Sequence, residues 1–248
     1  MGADKQLENT TFGFFGGYVH DNTSLSSLNP LQSKREGGFA GIYFKQAMQP
    51  ENGAFLYGFA RYDNSKAKNK RSVAFGSYAD TNESNFRQQG GAVEFGAGWN
   101  DTKRSGTLTY NVGINYAVTQ QGAFTENDGS GSAVAVDKGS YHSVLANTGV
   151  QYTTIMAPLN KLTDYRISAA ASWNQELYRS DRDYSVGLLG GSIPVHWENN
   201  EDKGWLDLSV QGEFVYKKNL AVVASVGTEL FRKNHRGLSG SIKLEYGF

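Results

Sequence analysis

The sequence predicts an all-β protein, an antiparallel β-barrel that crosses a membrane. Three observations carry that prediction. Ten segments of about 9–13 residues alternate apolar and polar side chains, the period-two signature of a strand with two unlike faces. Short connectors alternate with long polar ones, as they do at the two ends of a membrane barrel. Aromatic residues gather near the ends of the apolar faces, at Tyr152, Trp173, Tyr216, Tyr246 and Phe248, where interfacial girdles lie.

The segments follow in chain order. Three noisy ones come first, 12–20, 38–46 and 54–62. Val93, Phe95, Ala97 and Trp99 then oppose Glu94, Gly96 and Gly98. Leu108, Tyr110, Val112, Ile114, Tyr116 and Val118 oppose Thr107, Thr109, Asn111, Gly113 and Asn115. Val144, Ala146, Val150 and Tyr152 oppose Asn147, Gly149 and Gln151. Tyr165, Ile167, Ala169, Ala171 and Trp173 oppose Arg166, Ser168, Ser172, Asn174 and Glu176. Leu206, Leu208, Val210, Phe214 and Tyr216 oppose Asp207, Ser209, Gln211 and Glu213. Leu220, Val222, Ala224, Val226 and Leu230 oppose Ser225, Gly227 and Glu229. The last segment sets Leu238, Ile242, Leu244, Tyr246 and Phe248 against Ser239, Ser241, Lys243 and Glu245.

The short connectors are 49–53, 101–106, 157–161 and 217–219. The long ones are 24–35, 65–88, 120–141 and 177–204, with 233–237 a short member of that set. Inside them, 71–78 and 185–197 are apolar enough for extra strands or extended hairpin tips. Residues 1–10 read as a periplasmic N-terminal tail and 11–248 as the barrel.

A soluble sandwich also shows period-two strands, with the apolar face inward. Strand length speaks for the membrane, because about 9–11 residues cross a bilayer at a tilt while soluble strands average five or six. The polar faces speak for it too. By parity Glu94, Arg166, Glu176, Glu213, Glu229, Lys243 and Glu245 share the inner side, where a wetted lumen suits them and a dry interior would need extensive pairing.

Composition narrows the function. Lys plus Arg and Asp plus Glu both number 24, without the basic surplus of a nucleic-acid binder. The absence of cysteine removes disulfides, thiolate nucleophiles and Cys-ligated zinc and suits an oxidising compartment. Glycine, about 12 % of the chain against an average of roughly 7 %, accompanies 14 Tyr and 14 Phe, a mixture of packed rings rather than of flexible linker. Residues 1–5 lack the apolar run of an export signal, so an exported form carries its signal upstream.

No cofactor and no metal site is expected. His20, His142, His196 and His235 include no pair with ligand spacing on one face. His142 and Ser143 are neighbours on a strand and point to opposite faces, so no direct dyad forms there. The basic run 65–71 and the Gly/Ser run 129–132 read first as solvated loops. The former also suits lipopolysaccharide phosphates at the outer rim.

The ending Ile242-Lys-Leu244-Glu-Tyr246-Gly-Phe248 resembles the C-terminal assembly signal of bacterial outer-membrane proteins, a terminal aromatic preceded by apolar residues at alternate positions. That resemblance implies recognition by the outer-membrane barrel assembly machinery. The stretch from Gly53 to Asn64, the sequence Gly122-Ala-Phe-Thr-Glu126, and the closing hairpin that begins Asn219-Leu-Ala-Val-Val are similar to motifs of the translocator β-domain of autotransporters, the type V secretion family. Family barrels have twelve strands and a preceding helix in the lumen. Ten strands are readable here, and residues 5–9 are too short for that helix.

The resemblance implies a non-enzymatic outer-membrane domain, integral and monomeric. It would anchor a passenger domain of the same chain and help it outward, among outer-membrane lipid and lipopolysaccharide. A stand-alone barrel, either a narrow porin or an adhesin, is the alternative, and an outer-membrane enzyme is a third.

Overall fold

A computed structural model of the chain describes residues 2–25, 31–49, 52–75, 77–126, 133–160, 163–180, 182–188, 191–197, 203–216, 220–231 and 237–246. All of its regular structure is strand. In order these are β1 (Gly2–Leu7), β2 (Thr10–Leu25), β3 (Leu31–Ala47), β4 (Gly53–Phe75), β5 (Tyr78–Lys103), β6 (Gly106–Gln121), β7 (Phe124–Thr125) and β8 (Ala135–Val136). Then follow β9 (Gly139–Asn160), β10 (Thr163–Arg179), β11 (Arg182–Leu188), β12 (Gly191–Trp197), β13 (Gly204–Tyr216), β14 (Leu220–Leu230) and β15 (Leu238–Tyr246).

Eleven strands form one antiparallel meander in the order β1-β2-β3-β4-β5-β6-β9-β10-β13-β14-β15. The sheet curls until Cα atoms of β1 and β15 come within 8 Å of each other, although the two strands share no ladder among the described residues. The ten long strands are the ten that the periodicity predicts. β1 is additional. Residues 2–7, expected as tail, pair with β2 from Gly2↔Phe15 to Leu7↔Thr10, through a turn in which Glu8 takes a left-handed φ of 49°. Polar Asp4, Lys5 and Gln6 fall on both phases, so no alternation marks this strand, and the free edge of β2 supplies its ladder.

The long connectors differ from expectation for a related reason. β4 and β5 are 23 and 26 residues long and pair without interruption from Gly53↔Asn100 to Phe75↔Tyr78. Most of the expected 65–88 loop is therefore a tall hairpin. β2 and β3 likewise stay paired up to Leu25↔Leu31. Beyond the bilayer both faces of a strand meet water or polar neighbours, so the apolar period vanishes while the ladder continues. Segment 185–197 contributes to the β11–β12 hairpin. Together with β8 and β7 it makes a second, four-stranded sheet.

The outer face of the main sheet is apolar and exposed. Phe95, Val112 and Val226 are 59 %, 58 % and 58 % exposed, an arrangement that lipid satisfies and water does not. Among described apolar side chains, the buried ones are Phe55, Ala67, Ala92, Ala221 and Val223, far too few for a dry core. Tyr18, Tyr116 and Trp173 stand exposed in the outer halves of their strands, Tyr62 is exposed on β4, which runs on beyond it to Phe75, and Trp99, Tyr110, Tyr152 and Tyr216 stand toward the opposite ends, two belts flanking the aliphatic band. The side chains of Tyr246 and Phe248 lie outside the described residues.

Candidate functional site

The inner face of the curled sheet is the surface available for a function that needs a passage, and its two halves differ. From β6 onward it is polar and cross-linked strand to strand. At the seam with β5, Asn115 Nδ2 donates to Glu94 Oε2 at 3.3 Å, and further round Thr153 and Ser168 share a hydrogen bond of 2.9 Å. Asn174 Nδ2 donates to Asp207 Oδ2 at 2.7 Å. Arg166 Nη1 lies 3.6 Å from Glu213 Oε2, the two residues being register partners on β10 and β13. Ser225 and Ser241 share a bond of 2.7 Å near the C-terminal edge.

From β2 to β5 the inner face is aromatic. Phe15 packs against Phe39, Tyr43 and Phe59, with ring centroids 6.2, 6.3 and 6.5 Å apart. Phe55 and Tyr57 follow at 6.1 Å, and Lys45 Nζ sits 4.3 Å above the Phe55 ring. These rings lie flat because the facing positions are glycine. A Cβ on Gly13 would overlap the Tyr43 ring, one on Gly41 the Phe15 ring, and one on Gly98 the Phe55 ring. Ring over glycine across a strand pair replaces the missing side-chain contact.

At the outer end, the segment after β6 folds onto the inner side of the tall β4–β5 hairpin. The Glu126 carboxylate accepts from Arg71 Nε at 3.0 Å and Nη2 at 2.6 Å, a fork-to-fork geometry, and from the Val134 amide at 3.1 Å. Hydrogen bonding to Glu126 raises the Arg71 pKa above its ordinary value. Phe124 stacks on Phe86 with centroids 4.6 Å apart and planes at 18°. The Gly122 amide donates to the Arg87 carbonyl at 2.8 Å. These contacts place the β7–β8 segment against the hairpin, with β11 paired to β8.

Of the inner residues expected from parity, Glu94, Arg166, Glu176 and Glu213 lie on the face opposite the exposed apolar stripe. Arg166–Glu213 is the one ion pair among them, while Glu176 bonds Arg179 Nε at 2.6 Å. Glu229 lies on the same face, its amide donating to the Gly237 carbonyl at 3.2 Å. The side chains of Lys243 and Glu245 lie outside the described residues. Ile242 and Leu244 of the expected assembly signal are 85 % and 65 % exposed on the outer face of β15.

His142 Nδ1 meets Tyr116 Oη at 2.7 Å on the outer face, and His20 meets Asn22 and Glu36. Neither histidine faces a serine nucleophile in these contacts. The 129–132 run and His235 lie outside the described residues, as does the side chain of His196.

Two features escape the sequence reading. The aromatic half leaves a trace as rings on both phases, at Phe14-Phe15 and Tyr43-Phe44. Arg71 and Glu126 each fall inside a singled-out motif, but 55 residues separate them, and no spacing rule joins them.

An autotransporter beta-domain family model matches residues 1–227. The chain is similar in structure to the translocator domain of autotransporter NalP from Neisseria meningitidis, with a TM-score of 0.67 and 20 % identity over 98 % of this chain and 76 % of that one. It is also similar to the transport unit of autotransporter AIDA-I from Escherichia coli, with a TM-score of 0.59 and 16 % identity over 100 % of this chain and 80 % of that one. The β-domain of the Bordetella autotransporter BrkA gives a TM-score of 0.56 and 14 % identity over 100 % of this chain and 96 % of that one. No curated protein sequence matches. At these identities the structures establish the fold, and the family model establishes kinship: the chain belongs to the autotransporter β-domain family.

Proposed function

We infer that this chain anchors an N-terminal passenger in the bacterial outer membrane and serves as the conduit through which that passenger leaves. The observation that carries the reading is the pairing of an exposed apolar outer face with a polar, hydrogen-bonded inner face, on a chain whose first 227 residues match the family. A curled sheet whose neighbouring strands are laddered satisfies its backbone internally once its edges β1 and β15 meet, as the hydrocarbon layer demands. The family is not a catalytic one, and the domain's work is physical.

The finer assignments extend this reading. Glu94, Arg166, Glu176, Glu213, Glu229, Lys243 and Glu245 line the lumen. Their mixed signs hold a polar segment in transit by hydrogen bonds that break and re-form. Ile242, Leu244, Tyr246 and Phe248 present the edge that the barrel assembly machinery binds. The transmembrane barrel runs from residue 11 to 248, with β1 added to the edge of its first strand, and acts as a monomer among outer-membrane lipid and lipopolysaccharide.

The test is an immunoblot of outer membranes from the source bacterium with antibody raised against this domain, run unheated and boiled, before and after protease treatment of intact cells. The expected result is a precursor band well above 27.1 kDa that protease trims to a heat-shifting band of domain size. A heat-shifting band near 27.1 kDa with no precursor, even when processing is blocked, would overturn the secretion reading in favour of a stand-alone barrel.

A further inference from the structure

The outward side of the tall hairpin carries charge that the inner-wall function does not use. Alternation along β3, β4 and β5 is unbroken in the registers. The phase that sends Ile42, Tyr62 and Val93 outward therefore also sends Lys34, Lys66, Lys68 and Arg87 outward. Lys34 is the register partner of Lys68, and Lys66 of Arg87. Two like-charged pairs thus stand directly opposite each other on adjacent strands, an arrangement that is destabilising by itself. Local carboxylates answer part of this charge: Glu36 lies 2.6 Å from Lys34, and Glu83 lies 3.2 Å from Lys68. Glu36 is also the register partner of Lys66 across β3 and β4, but its carboxylate is engaged by Lys34 and His20. Among the described residues neither Lys66 nor Arg87 makes an ion pair, and both are exposed.

Height matters as much as charge. Lys66 lies four residues beyond the Tyr62 belt, about 13 Å along the strand at roughly 3.3 Å per residue, and less along the membrane normal. Directly below, on the same outer face, is a shallow groove of about 530 Å³. Its floor is the small side chains Ala40, Ala60 and Gly91, and its walls are Ile42, Val93 and Tyr116. A groove of small residues alone defines no site. Beneath a cluster of four cations at headgroup level, two of them without an ion pair among the described residues, it matches an amphiphile with anionic phosphates above and acyl chains below.

We propose that Lys66 and Arg87, flanked by Lys34 and Lys68, bind the phosphates of the acylated glycolipid of the outer leaflet, with one acyl chain seated in the Ala40–Ala60–Gly91 groove. The proposal rests on the outer-membrane orientation of the proposed function, which sets β4 and β5 projecting outward. Charge-assisted contacts to phosphate supply the specificity, and the groove supplies apolar burial. The bound lipid relieves the like-charge pairs and braces the hairpin on its outward side, opposite the Arg71–Glu126 contact on its inward side.

The test uses the folded full chain in detergent micelles and native mass spectrometry with three probes: diphosphorylated lipid A, fully dephosphorylated lipid A and inorganic phosphate. Lys66→Ser with Arg87→Ser removes the exposed cations. Lys103→Ser with Arg104→Ser, at the opposite end of the barrel, is the control. The wild type is expected to hold diphosphorylated lipid A. The outer double variant should bind it at least about tenfold more weakly, as the loss of two charge-assisted contacts implies, and the control should match the wild type. Dephosphorylated lipid should bind weakly to all three proteins, and inorganic phosphate should not displace the lipid.

Equal binding by wild type and outer double variant would overturn the proposal. So would equal affinity for the dephosphorylated lipid, or full displacement by inorganic phosphate. The heat-shifted band verifies folding, and Lys66→Ser alone replaces the double variant should that fail to fold. Export is scored separately: failure of lipid binding leaves passenger export by the wild-type precursor intact, whereas failure of that export refutes the secretion reading alone.

Discussion

The two halves of the wall share one outer face and differ in the inner one. β6–β15 set polar side chains against each other across the ladder, through Thr153–Ser168, Asn174–Asp207 and Arg166–Glu213. β2–β5 set rings over glycines, with Tyr43 over Gly13, Phe15 over Gly41 and Phe55 over Gly98. The outer face is constrained by lipid and has a single solution, an apolar side chain at every second position. The inner face is constrained only by its neighbours, and two chemistries satisfy it.

The sharpest way to probe the shared face is to charge it in both halves. Phe95→Arg and Val210→Arg each place a cation at mid-height on the outward phase, which costs about 2–4 kcal/mol at a bilayer midplane. Both variants are expected to lose the heat-resistant folded band at lower urea than the wild type, by similar amounts. A large loss in one half and none in the other would break the claim that lipid wraps both.

The next largest effect separates the halves. Gly98→Leu drives a side chain into the Phe55 ring and the Tyr110 carbonyl, and overpacking of that kind costs about 1–3 kcal/mol or more. Gly227→Ala, on the inner phase of β14, meets no ring; its nearest neighbours are the Ser239 hydroxyl at 3.1 Å and the Leu208 carbonyl at 3.2 Å, and it should shift the denaturant midpoint far less. Equal effects would mean that the ring-over-glycine contacts do not organise the aromatic half.

A smaller, local effect is expected from Glu126→Gln. It removes the charge from the carboxylate that Arg71 grips while keeping the shape, at a cost of about 1–2 kcal/mol given the partial exposure of Arg71. The barrel should keep its heat shift, while the segment between β6 and β9 becomes cleavable by protease added to intact cells. Loss of the heat shift itself would mean that this contact belongs to the barrel rather than to its outer end.

The same contrast explains what was legible in the sequence. Phases are clean from Val93 onward because an apolar outer face opposes a polar inner one. They blur in β2–β4 because Phe15, Phe39, Tyr43 and Phe59 put rings on the inner phase as well. Above the membrane the phase disappears, so the tall β4–β5 hairpin and the outer part of β2–β3 read as loops although their ladders continue. β1 was illegible because a six-residue edge strand with polar residues on both phases carries no period. Parity alone groups Glu94, Glu176 and Glu213 on one face, because each lies in a strand with a clean alternation. It does not reveal the Arg71–Glu126 contact, which depends on how a loop folds back over a hairpin.

The smallest expected effect is one of pH. Hydrogen bonding and charge from Lys68, with Lys70 adding to it, hold the Glu83 carboxyl below its ordinary value. A depressed carboxylate contributes order above its unfolded pKa and loses that contribution as pH falls through the lower, folded value. Amide protection in residues 65–88, taken relative to the intrinsic exchange rate at each pH, should therefore be unchanged from pH 8 to 6 and fall slightly in the acid range below the ordinary carboxylate pKa, with Glu83→Gln showing no such fall. A loss of protection confined to neutral pH would assign the order to another group.

The central claim is that one phase of each strand faces lipid and the other a wetted interior. The chain has no cysteine, so single cysteines can be placed one at a time from Tyr110 to Tyr116 on β6 and challenged with a membrane-impermeant maleimide in reconstituted bilayers. The account predicts labelling at 111, 113 and 115 and protection at 110, 112, 114 and 116. Uniform labelling, uniform protection, or the opposite phase would contradict it.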